Sequence, residues 1–276
     1  MTRKTLADRS AIFEISGRIA TGMFAQNRWL PHPIELKLTL RRSPPEFSLV
    51  SGTTISGVCP YKVEFEKVEL RITKHEINPT VLQQNERNLN SGKRYQFPTR
   101  THEISAFNIQ KDTLNVTSST LFSGVLPETL VFCMLHSESI LGKLSKSCFK
   151  FDPFNIQSII VTVNGETTLW KEMPFDMDQN VYLQGYETLF NACGDQGNGI
   201  THRNYTSEGC FFVVLEINPR NQGNKFLLPR TGQLQVSLRF KTPLAQSITC
   251  LAIGQFQYLI QVDKNGQTYS EALLQK

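Results

Sequence analysis

Strict alternation of apolar and polar side chains constrains this chain more than any other feature. Ile34, Leu36, Leu38 and Leu40 alternate with Glu35, Lys37, Thr39 and Arg41, and Leu234, Val236, Leu238 and Phe240 occupy every second place of residues 233–241. Successive side chains of a strand point to opposite faces, so each stretch reads as a strand with one face buried. Further strands are predicted over residues 103–109, 129–136, 158–163, 211–217 and 248–262. Residues 130–135 and 211–215 are apolar on both faces, as expected of strands covered on both sides or at a subunit contact. Asn164-Gly165 predicts a type I′ hairpin turn leading into residues 166–169. The apolar phase slips by one residue around Glu66 and Lys67, between the set Val63, Phe65 and the set Val68, Leu70, Ile72, and again at Gly254 and Gln255. A β-bulge is predicted near Glu66 and near Gln255.

Helix signals are few. Asn78 can cap a helix and Pro79 suits its first position, ahead of Val81, Leu82 and Leu89; residues 185–192 give a second. Both lie between strands, so the pattern is about nine strands with one or two short inserted helices: an all-β antiparallel sandwich, not alternating βα units. Strands of ordinary length leave much of the chain to long loops, with Gly, Pro and Asn-rich stretches at residues 51–60 and 191–206. The 18 Phe suit a wide sandwich core and subunit contacts.

The net charge of +5 favours loose attraction to anions, but the basic residues are spread out and their densest cluster is Arg3, Lys4 and Arg9. This tail predicts weak, salt-labile nucleic-acid contact without sequence preference. The six cysteines are irregularly spaced with no CxxC pair, so free thiols are the expectation. Glu14 and Arg18 interrupt the apolar stretch of residues 11–20, and no 18-residue apolar run exists, which predicts a protein that is neither membrane-spanning nor secreted. Sequons at Asn115 and Asn204 would then be chance.

No catalytic, cofactor-binding or metal-binding residue is predicted. The five histidines are never within two residues of one another, and Cys133 and His136, three apart on a strand, point to opposite faces. Cys193 with His202 reads as a small buried thiol and a loop imidazole rather than a nucleophile and its base. Gly194, Gly197 and Gly199 lack the strand before and helix after that a dinucleotide loop requires. Asp176, Asp178 and Asp195 read as solvated loop carboxylates.

A series of segments resembles the C-terminal half of the double jelly-roll major capsid protein of Polinton (Maverick) elements and adintovirus-like viruses. The series is G-R-I at residues 17–19, F-A-Q-N-R-W-L at 24–30, L-R-R-S-P-P-E-F-S-L at 40–49, Y-K-V at 61–63, N-P-T-V-L at 78–82 and L-F-S-G-V-L-P at 121–127. It continues with F-D-P-F-N-I at 151–156, V-N-G at 163–165, G-Y-E-T-L-F at 185–190, Y-T-S-E-G-C-F-F-V-V-L-E-I-N-P at 205–219, G-Q-L-Q-V-S-L-R-F at 232–240 and Q-F-Q-Y-L-I-Q-V-D at 255–263. The resemblance implies a jelly roll that self-associates into hexon-like homotrimers, with other capsid proteins as partners, no membrane, and a place in a virion capsid or in the host cell interior. It implies no enzyme. It also implies a basic tail over residues 1–12 and a single jelly-roll domain over residues 13–276, with the family's upstream jelly roll absent from this sequence, as in a fragment or a domesticated remnant. The alternative reading is a β-sandwich ligand- or receptor-binding module using the long loops.

Overall fold

The computed structural model describes residues 11–31, 34–50, 61–143, 145–167, 172–193, 199–217 and 230–272. The strands are β1 (Tyr95–Ile109), β2 (Asn115–Thr117), β3 (Phe122–Val125), β4 (Thr129–His136), β5 (Ile156–Val163), β6 (Glu166–Thr167), β7 (Met173–Pro174), β8 (Val213–Glu216), β9 (Thr231–Phe240), β10 (Ile248–Val262) and β11 (Thr268–Ala272). Helix α1 (Pro79–Asn90) precedes them, and α2 (Leu183–Cys193) and α3 (His202–Thr206) lie between β7 and β8.

Two antiparallel sheets form, one ordered β1-β10-β4-β8 with β11 beside β10, the other β2-β9-β5-β6 with β3 beside β9 and β7 beside β5. Because β2 and β3 pair with one strand, β9, they are one interrupted strand, as are β6 and β7 along β5. The roll then has eight strand positions. The first pairs with the last, the second with the seventh, the third with the sixth and the fourth with the fifth, and this nested pairing defines a jelly roll.

The inner faces supply the core. Leu130, Phe132 and Met134 of β4, Ile159 and Val161 of β5, Leu234, Val236 and Leu238 of β9 and Ile248, Cys250 and Ala252 of β10 belong to one buried cluster. Each large apolar side chain fully buried there contributes about 1.5–3 kcal/mol. Asn164 and Gly165 both have positive φ, 54° and 81°, the backbone a type I′ turn demands. Asn78 caps α1, its side chain accepting from the amide of Thr80 at 3.0 Å.

Several expectations need correction. Residues 34–41 form no strand, and Leu40 is 69% exposed. Residues 61–72 are likewise outside any sheet, although Lys62 pairs with Glu64 and Lys67 and Arg71 pair with Glu69 along one side. Alternation reports which face requires cover, while a strand also requires a neighbour, and all eight positions of the roll are filled by residues 95–262. The bulge expected near Glu66 therefore has no ladder to interrupt. Near Gln255 there is none either, since β10 keeps one register with β1 from Ile248 to Val262. The phase slip there marks a change of cover: β4 flanks β10 up to Gln255, and β11 takes that side from Tyr258. The register shift that does occur lies in β5, between Ile156 and Ser158. The loop at residues 51–60 lies outside the described residues, and α3 occupies part of the stretch 191–206 expected to be loop.

Candidate functional site

The outer face of the β1-β10-β4-β8 sheet is apolar along two rows. Ile104, Ile253, Val131 and Val214 are successive register partners across the four strands, and Ala106, Leu251 and Cys133 form the next row. Cover is complete at one side only. Val214, Cys133 and Leu135 are buried, whereas Ile104 is 65% exposed at the β1 edge.

Helix α2 packs on β8, where the Thr188 hydroxyl accepts from the Val214 amide at 3.4 Å and donates to the Gly185 carbonyl at 2.7 Å. Gly185 permits a close approach, because a Cβ there would lie 2.6 Å from the Phe175 ring and 2.7 Å from the Tyr205 hydroxyl. An aromatic cluster fills the space beside it: Tyr186 on His202 at 4.2 Å, Tyr205 on Phe211 at 5.2 Å and Phe175 on Phe211 at 5.4 Å between ring centroids. Burial raises the Tyr205 phenol pKa, and its oxygen has no hydrogen-bond partner among the described residues. A capping box starts α3, with the Thr201 hydroxyl accepting from the Asn204 amide at 3.2 Å and the Asn204 side chain accepting from the Thr201 amide at 3.1 Å. Asn in place of Glu or Gln at the third helical position hid this box from sequence reading.

The candidate chemical groups are placed as structural ones. Burial pushes the Cys133 thiol up to about 12 and raises that of Cys250, so neither is a thiolate at neutral pH. His136 packs edge-on against Phe154 at 4.9 Å, and its Nδ1 is buried without a partner. Burial, reinforced by the positive charge of Lys146, holds its pKa below the ordinary value. Asp176 and Asp178 clasp Lys241, whose Nζ donates to Asp176 Oδ1 and Oδ2 at 3.1 and 3.0 Å and to Asp178 Oδ2 at 3.0 Å. The ammonium, which sequence reading did not pair with them, offsets one of the two negative charges and pins their turn to the end of β9. The His202 ring lies on Tyr186, while the Cys193 side chain, Gly194, Asp195 and Gly197 fall outside the described residues. Among the described residues no three His, Cys, Asp or Glu side chains converge to hold a metal ion, and no helix is long and apolar enough to cross a membrane.

The described residues also form open grooves. One, of about 460 Å³, is lined by Arg28, Trp29, Asn85, Arg94 and Tyr95 among others, with Trp29 stacked on His75 at 4.2 Å. Another, of about 520 Å³, includes Asn115, Thr117, Ser237 and Arg239 and has no aromatic wall.

No protein-family model matches the chain. It is 22% identical over 258 residues to the uncharacterized protein F54H12.2 of Caenorhabditis elegans, a match covering 91% of this chain and 61% of that protein. The chain thus spans less than two thirds of the length of this curated relative. Among solved structures it is similar to a chain of the Sputnik virophage (TM-score 0.44, 13% identity, 66% of this chain and 40% of that chain). The mavirus major capsid protein (0.42, 10%, 67% and 42%) and a chain of the PBCV-1 virus capsid (0.39, 7%, 70% and 55%) are further likenesses.

Proposed function

We propose that this chain is a structural, non-enzymatic capsid module of the Polinton or adintovirus type, one jelly roll of a protein that assembles as hexon-like homotrimers with other capsid proteins. One observation carries the reading: from residue 121 onward, most of the segments that resemble that family fall on or beside strands of the roll. Residues 121–127 contain β3, residues 151–156 and 163–165 meet the two ends of β5, residues 205–219 contain β8, residues 232–240 lie within β9 and residues 255–263 overlap the second half of β10, while residues 185–190 lie in α2 and the segments before residue 83 lie outside the roll. Cys133 and Cys250 are committed to the core, His136 and His202 to ring packing, and Asp176 and Asp178 to an ion pair, which suits a building block better than a catalyst. The site of action on this reading is a virion capsid or the host cell interior.

The test compares the 276-residue chain with the same chain joined to an upstream jelly roll. A lattice position of hexagonal outline takes six similar units, which three double-roll subunits supply and three single rolls do not. The chain alone is expected to give small oligomers or aggregates without closed shells, and the longer protein to give trimers, by light scattering and electron microscopy. Well-formed shells from the chain alone, or a soluble monomer unaffected by the added roll, would refute the proposal.

The groove beside Trp29 favours a second reading, a ligand-binding sandwich, because an exposed indole beside Arg28, Arg94 and Asn85 is suited to a flat polar ligand. A thermal shift with a panel of sugars and nucleotides, lost in Trp29→Ala, would support that reading. No shift with any of them would remove it.

A further inference from the structure

We propose that residues 34–41 of one copy add as an extra edge strand to β1 of a neighbouring copy. The inference names the contact by which copies associate, and it rests on the reading above only for the number of copies in the ring.

The acceptor is the free edge of β1. Among the described residues that strand pairs only with β10. The Gln96 carbonyl accepts from Arg28 at 2.7 Å, and Gly22 lies against the Arg100 carbonyl, so the even-numbered residues of β1 turn their backbone groups outward. His102, Ile104, Ala106 and Asn108 continue that parity, and among the described residues no strand lies beside them. Their side chains share the outer face on which Ile104 and Ala106 leave the apolar rows uncovered. An edge this long with no lysine or proline over residues 102–109 is a template for another strand.

The donor carries the matching pattern. Leu36, Leu38 and Leu40 lie on one side of residues 34–41, with Leu36 and Leu40 47% and 69% exposed, and Glu35, Lys37, Thr39 and Arg41 on the other. An antiparallel register that sets Leu40 beside Ile104 and Leu38 beside Ala106 continues the apolar rows by one strand. The same register sets Arg41 beside Glu103, an exposed carboxylate with no ion pair among the described residues.

Geometry selects a second copy as the partner. Gly22 sits at Arg100 and Arg28 at Gln96, so the arm runs antiparallel to β1, away from Ile104. For Leu38 to reach its own Ala106, ten residues would have to span about 33 Å of strand at full extension and then reverse direction with no residues left for a turn. A neighbour's arm meets no such limit. The resulting contact joins two different surfaces, and such contacts close into rings when the rotation per copy allows. Three copies would match the homotrimer.

The test uses the full chain. Leu40→Cys in a tagged chain mixed with Ile104→Cys in an untagged chain is expected to give, under mild oxidation, a covalent pair of twice the chain mass, with peptide mapping placing the bond between the two introduced thiols. Glu103→Arg is expected to raise the dissociation constant about tenfold or more, and the double variant Arg41→Glu/Glu103→Arg to restore it, with circular dichroism verifying that each variant is folded. Failure of the mixed chains to cross-link while the wild-type chain still oligomerises, or loss in both charge variants without rescue, would overturn the inference. Strand addition in trans without any shell from the longer protein would uphold it and sink the capsid reading instead.

Discussion

Strand β9 and residues 34–41 carry the same alternation and end in opposite circumstances. Leu234, Val236, Leu238 and Phe240 are at most 2% exposed, whereas Leu36 and Leu40 stand open to water. Their compositions do not explain the difference. What separates them is the presence of a facing sheet: β9 lies between β2 and β5 and shares one buried cluster with β4 and β10 of the other sheet, while the arm pairs with no strand among the described residues. Apolar patterning is therefore a demand for cover, and the roll meets that demand only for the strands it encloses.

The comparison breaks most readily on stability. Phe132→Ala in β4 is expected to cost about 3–5 kcal/mol, and Leu40→Ala in the arm of the monomeric chain less than about 0.5 kcal/mol, from urea midpoints. Similar losses at both positions would show that the arm shares the roll's cooperative unit. Thiol chemistry gives the next largest contrast. In the native protein Cys133 and Cys250 should not react with a disulfide reagent, and after denaturation all six thiols of the sequence should titrate. Fewer than six would reveal a disulfide and contradict free thiols.

Smaller in effect is a pH response at His136. Its native pKa lies below the ordinary 6.5, so between the two values the unfolded chain binds more protons than the native one. Stability should rise with pH through that window and be lost as pH falls below 6.5. His136→Phe, keeping the ring contact with Phe154, should flatten the profile there; an unchanged slope would assign the titration elsewhere. Smallest of all is the tail: oligonucleotide binding by the full chain should be weak, vanish at moderate salt and fall further when Arg3, Lys4 and Arg9 become alanine. Tight or sequence-selective binding would point to a site in the roll instead.

Legibility in the sequence followed the range of the interaction. The Asn164-Gly165 turn, the Asn78 cap and the limits of β10 depend on neighbouring residues and could be read directly. The double burial of β4 was legible as a run apolar on both faces, although not that α2 covers β8 beside it. Sheet order was not readable from pattern, because β1 and β10 are joined by contacts such as Asn108 to Thr249, 141 residues apart. The clasp of Lys241 on Asp176 and Asp178 was hidden for the same reason. Each carboxylate alone looks like solvated loop, and the ammonium that bridges them comes from the far end of another strand.

The pairing of the first strand with the last sets a timetable for synthesis. A nascent β1 leaves the ribosome with no partner, and the stretch that will flank it follows 141 residues later, as Asn108 and Thr249 illustrate. At about 5–20 residues per second this is a delay of about 7–28 s, during which Phe97, Phe107 and Ile109 lie bare on the growing polypeptide. Translation on closely spaced ribosomes would bring several such unfinished strands near one another, each a mate for its neighbour. Slow codons before β10 would lengthen that interval, and a holding chaperone would shelter it.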